Sequence, residues 1–201
     1  MRKTYFGSLI VSLLFLTVLA GCGLTENMIE PPFGTAGKKI VFVPFCEPDL
    51  YYFESKRGME ISALLAHLVQ SKSNELKVVD IAPAIALIRG KDPDAIDWQE
   101  VGRATGADYI VLGFVKTLRA KDPEYVNCYK GRFHAQIALI QTATGAELMR
   151  EDVAVSYPSG SFAQPVLSVL ETTEDEVLQK VKERGVMKMA EFFYPHPPSE
   201  E

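Results

Sequence analysis

Three cysteines carry the most reactive chemistry in this 201-residue sequence, and their surroundings assign them different work. Cys22 stands directly after Leu19-Ala20-Gly21, at the end of an apolar run that starts near Tyr5 and comes after Arg2 and Lys3, with no acid before Glu26. A basic start, an apolar middle and small residues at the end are the three regions of a secretory signal, so residues 1–21 read as a cleaved leader. Its apolar core, Leu9 to Ala20, is short for a membrane span, which needs about 20 residues. Cys46 and Cys128 are the remaining thiols, and export places them where a disulfide persists. Their bridge would close a loop of about 80 residues, worth about 4.5 kcal/mol on chain-entropy grounds. The alternative is two separate buried thiols, because a sequence does not supply the Cα separation that a bridge requires.

The other reactive side chains do not assemble into a catalytic set. There is no G-x-S-x-G elbow, P-loop, dinucleotide fingerprint or paired His and Cys spacing for zinc, so no catalytic residue, no cofactor and no metal ligand is assigned. His67, His134 and His196 fall on the polar face of a helix, the outer face of a strand and the tail, where solvated histidines belong. Ser159-Gly160-Ser161 lacks a base partner and reads as a loop. Glu47, Asp49, Asp122 and Glu124 could offer oxygens to a hard cation but have no loop signature. Tyr51, Tyr52, Phe53 and Tyr125 lie beside acidic residues and admit two readings. They form an aromatic contact patch for a protein partner, or their rings fold back over the end of a sheet.

These residues have to be positioned by one domain, since the chain beyond residue 21 is long enough for a single substantial core. The net charge is −5, and it becomes two units more negative once Arg2 and Lys3 leave with the leader. That surface excludes a nucleic-acid partner and a polybasic grip on anionic lipid. Residues 22–38, with Pro31-Pro32, Gly34 and Gly37, have no period and read as a tether. The domain spans 39–194. Lys39 to Phe45 (KIVFVPF) is an unalternating apolar run, hence a strand buried on both faces, which Pro44 ends or interrupts. Helical spacing over Lys56 to Ser73 predicts an amphipathic helix, Leu76 to Ile81 a short strand, and Pro83 to Arg89 a short helix closed by Gly90. Asp97 to Glu100 has the form of a capping box, with Gly106 as the left-handed stop. Tyr109 to Leu118 is a strand, and Arg132 to Gln141 and Glu147 to Tyr157 form a hairpin around Thr142 to Gly145. A capped helix then runs from Thr173 to about Pro195, and 195–201 is a disordered tail.

Two stretches resemble known families. Leu19-Ala20-Gly21-Cys22 resembles the lipobox of bacterial lipoproteins. That resemblance implies a diacylglyceryl thioether on Cys22 and an acylated amino terminus with palmitate-type chains, and several chains on one residue give lasting anchorage. Gly23, in place of an Asp, implies the outer membrane of a two-membrane cell, with the domain facing the periplasm. The helix-to-strand segment Val101 to Gly113 and the hairpin Gln141-Thr-Ala-Thr-Gly-Ala-Glu-Leu148, in this order of elements, resemble the curli secretion-channel lipoproteins, the penicillin-binding-protein activator lipoproteins and the amino-terminal domain of TolB. The resemblance implies an α/β (α+β) domain, a single mixed sheet of about five strands with helices packed on it. It also implies a non-catalytic part that binds other envelope proteins, with a homo-oligomeric secretion component as the alternative. The connection Arg119 to Lys130 is too short and polar to build barrel-forming hairpins, which argues against a pore.

Overall fold

Lys39–Phe42 forms β1, and its side chains serve two cores at once. Ile40 and Phe42 belong to one apolar cluster and Val41 and Val43 to another, all four being 5% exposed or less. That is the burial of a central strand, as the unalternating run predicts. Pro44 does not end the pairing. Val43 N donates to Val111 O at 3.0 Å, Cys46 N to Gly113 O at 2.9 Å and Val115 N to Cys46 O at 2.8 Å, so the chain skips one donor and runs on.

The computed structural model describes residues 28–47, 53, 55–122, 128–159, 167–168 and 172–198, without the side chains of 128, 167 and 168. After β1 come α1 (Lys56–Lys72), β2 (Lys77–Val79), α2 (Ile85–Ile88), α3 (Trp98–Thr105), β3 (Tyr109–Arg119), β4 (Cys128–Tyr129), β5 (Gly131–Gln141), β6 (Glu147–Tyr157), β7 (Leu167–Ser168) and α4 (Glu174–Ala190). The main sheet has five strands in the order β2-β1-β3-β5-β6. β1 is parallel to β2 and β3, while β5 is antiparallel to β3 and β6, so the sheet is the mixed α+β one expected. β4 and β7 make a separate antiparallel pair of two residues each, too short to leave a periodic signal. A 3₁₀ turn takes the first part of the helix expected from Pro83, leaving α2 only four residues.

Helices α1 and α4 cover one face through Ile61, Leu65, Val69, Val181, Val186 and Met189, which pack on Phe133, Ile137 and Leu139 of β5. Helices α2 and α3 reach the other face through Ile88 and Val101, over Val41, Ile110 and Ile140. Their ends are set by local chemistry. Ser55 accepts from Gly58 N at 2.8 Å to start α1, and Asp97 accepts from Glu100 N at 3.1 Å to start α3. Gly106, at φ 67°, closes α3 in the left-handed region that glycine enters without strain. The reciprocal capping box is at α4, where Glu176 N donates to Thr173 Oγ1 at 3.2 Å and Thr173 N to Glu176 Oε2 at 3.0 Å. Gly185 lets α4 approach β5 closely, since a Cβ there would lie 2.2 Å from Phe133 Cδ1.

Packing begins before Lys39. Phe33 meets Tyr109 edge-on at 5.3 Å and Phe193 at 5.9 Å, and Tyr109 Oη donates to Gly34 O at 2.9 Å, so the end of the expected tether belongs to the packed unit of residues 30–195. A lone aromatic among prolines and glycines has no period to announce it. Ile29 and His196, in a second unit, exchange both backbone hydrogen bonds at 2.8 and 3.2 Å, which orders a position expected in the tail.

Two measurements check these packing claims. Thr173→Ala removes one arm of the capping box and is expected to cost about 1 kcal/mol in urea unfolding. Gly185→Ala gains about 1 kcal/mol of helix propensity but overpacks Phe133 at a cost of about 1–3 kcal/mol, so its urea midpoint falls. A raised midpoint would show that the Phe133 ring gives way freely.

Candidate functional site

Strand alternation decides what the second sheet face offers. Leu112 of β3 lies opposite Ala138 of β5, which lies opposite Arg150 of β6. The next row is Phe114, Gln136 and Asp152. Because α2 and α3 stop over β1 and β3, Leu112, Ala138, Phe114 and Gln136 of these rows form the floor of an open groove of about 310 Å³. Cys46, Phe53 and Trp98 wall its covered side, while Asp94, Glu147 and Arg150 bring charge to its rim. Phe53 and Trp98 stack edge-on at 5.8 Å.

The rim is a connected polar network. Arg150 donates from Nε to Glu147 Oε1 at 2.8 Å and from Nη1 to Gln136 Oε1 at 2.7 Å, and a second guanidinium nitrogen pairs with Glu147. Gln136 Nε2 donates to Asp152 Oδ2 at 3.1 Å, His134 Nε2 lies 3.1 Å from Asp152 Oδ1, and Lys116 pairs with the same carboxylate. The Lys116 hydrogen bond, with help from Gln136 and His134, holds the Asp152 carboxyl down at about 2. The hydrogen bond that Arg150 donates to Glu147 raises its guanidinium further. Burial and the charge of Asp92 push the Cys46 thiol up to about 11. At neutral pH it is therefore a protonated, apolar wall residue and a poor nucleophile.

The residues singled out in the sequence fare differently. Cys46 is a buried free thiol just beyond the carboxyl end of β1, where its backbone bridges to Phe114 in the middle of β3. Cys128 sits on β4, with its side chain outside the described residues. Phe53, 4% exposed, folds back against Trp98 and walls the groove. Cys22, Tyr51, Tyr52 and Tyr125 lie outside the described residues, as do Asp49 and Glu124. The other two candidate cation ligands have partners of their own: Glu47 takes Ser55 and Arg57, and the 2% exposed Asp122 takes Arg119 and Arg132. Among the described residues no group of three metal-ligating side chains converges, and no helix is long and apolar enough to cross a membrane. The network around Asp152 escaped the sequence reading because plain pairing outward from Thr142 to Gly145 sets Gln136 opposite Glu151, and only the register shift between Leu139 and Ile140 brings Asp152 there.

The carboxyl of Asp152 sits below its ordinary 3.8, so its contribution to stability is complete above pH 4 and is lost as pH falls through about 2. Asp152→Asn is expected to lower the melting temperature at pH 7 and to match the parent by pH 2. The side chain is 51% exposed, so 1 M salt shrinks the difference. Equal melting at pH 7 in low salt would remove the network from the stability of the hairpin.

No protein-family model matches the chain, and no curated protein matches it. Among solved structures, a point variant of the PelC dodecamer from Paraburkholderia phytofirmans superposes with a TM-score of 0.52 at 15% identity, over 84% of this chain and 96% of that one. A second PelC dodecamer from the same organism gives 0.50 at 14% identity, over 82% and 92%. Lipoprotein GNA1162 from Neisseria meningitidis gives 0.44 at 15% identity, over 76% and 98%. The fold that the chain shares with the PelC subunits spans nearly their whole length.

Proposed function

We propose that this chain is a lipid-anchored lipoprotein of the cell envelope and acts there as a non-catalytic interaction or assembly component. The observation that carries the reading is the bare half of the second sheet face. Leu112, Phe114 and Ile140 beside Trp98 make an apolar floor, and Asp94, Glu147 and Arg150 surround it with both signs of charge. An aromatic and aliphatic centre inside a charged rim is the anatomy of a protein contact surface. The protonated Cys46 wall and the mutually satisfied rim support contact rather than turnover.

The anchor in this proposal is the acylated Cys22, at the outer membrane with the domain facing the periplasm, and Tyr51, Tyr52 and Tyr125 belong to the contact surface. A second reading, self-assembly, has one specific support: the PelC structures whose fold the chain shares are dodecamers.

Labelled palmitate in a diderm host tests the anchor. The parent chain is expected to take up label and fractionate with membrane, and Cys22→Ala to do neither; labelled Cys22→Ala would refute the assignment. A photo-crosslinking residue in place of Gln136 tests the surface. It is expected to capture a distinct envelope protein, with the yield falling at least about tenfold on adding Leu112→Asp, as for loss of a central contact. Crosslinks only between copies of the chain would move self-assembly to first place, and none of either kind would remove the groove from the contact surface.

A further inference from the structure

We infer that β6 is the seam of a symmetric dimer, in which its outer edge pairs antiparallel with β6 of a second copy around Glu151. This rests on the self-assembly reading above and names the surface it would use. The two edges of the main sheet are unlike. β2 ends it with three residues, whereas β6 ends it with eleven, and among the described residues no backbone group bonds to the outer side of β6. Edges of that length are ordinarily shortened, bulged or broken by proline. β6 has no proline, and its one register irregularity lies at its start, opposite Leu139 and Ile140.

The charges on β6 also match a copy of themselves. Side chains alternate faces, so a second β6 docks with its faces aligned only in registers that step by two residues. Pairing about Glu151 sets Arg150 of each copy opposite Asp152 of the other on the open face. It also sets Met149 opposite Val153, 7% and 3% exposed, extending the core beneath α4 across the seam. Exposed Leu148 then meets Ala154. The neighbouring register in one direction opposes Arg150 to Arg150, and in the other Asp152 to Asp152, so charge selects the middle one. Glu147 and Gln136 already hold Arg150 in place, and Lys116 and His134 hold Asp152, so both enter the seam with their side chains ordered. The cost is Glu151 facing Glu151 on the two-fold axis.

The test is light scattering and sedimentation of the full chain in detergent, with circular dichroism to confirm that each variant folds. The parent is expected to self-associate. Arg150→Asp weakens association at least about tenfold, and Arg150→Asp with Asp152→Arg restores it. Glu151→Gln strengthens it, and Glu151→Cys gives a disulfide-linked dimer on mild oxidation beyond what the parent cysteines give. Self-association indifferent to Arg150→Asp, without the Glu151→Cys crosslink, would overturn the seam and leave self-assembly standing. A parent chain that stays monomeric to about 0.1 mM, a concentration that detects all but weak pairing, would overturn both.

Discussion

The structure depends on one geometric constraint: a mixed sheet shows apolar side chains on both faces, and the described helices cover only one and a half of them. Five strands about 4.8 Å apart need two helices, each about 10 Å across, on each face. α1 and α4 have 17 residues each, about 25 Å of helix, and close the first face over a core that includes Phe45, Phe133 and Phe193. α2 and α3 have four and eight residues and close the second only above β1 and β3. Among the described residues no helix covers the rest of that face.

The side chains on the bare half bear the marks of that position. Toward α3 they are apolar and merge with the core through Leu112 and Phe114. Farther along the hairpin they become Gln136, His134, Arg150 and Asp152, each bonded to a neighbour. Satisfying charges across strands keeps an exposed face soluble without a covering helix. The same mutual satisfaction leaves no ionised nucleophile beside a base among the described residues.

Much of the architecture was legible locally. The continuous run at Lys39 announced a central strand, the alternation of Phe133, Ala135, Ile137 and Leu139 a half-buried one, and Gly106 a helix stop. Each signal is contained in a few neighbouring residues, as helix periods, strand periods and caps are. The misreading came where a distant partner decided the outcome: Phe33, expected in the tether, packs on Tyr109 and Phe193.

By itself the sequence determined the order and type of nearly every long element, whereas the mixed five-stranded sheet was implied only by the resemblance to the envelope lipoproteins. The elements come from hydrogen bonding and apolar periodicity within short windows of chain. Only the tertiary structure decided that Phe53 turns inward to Trp98, that Asp152 gathers Lys116, Gln136 and His134, and that the described helices leave half of one sheet face open. Those outcomes depend on strand register and on the lengths of helices far apart in the chain, which no local pattern contains.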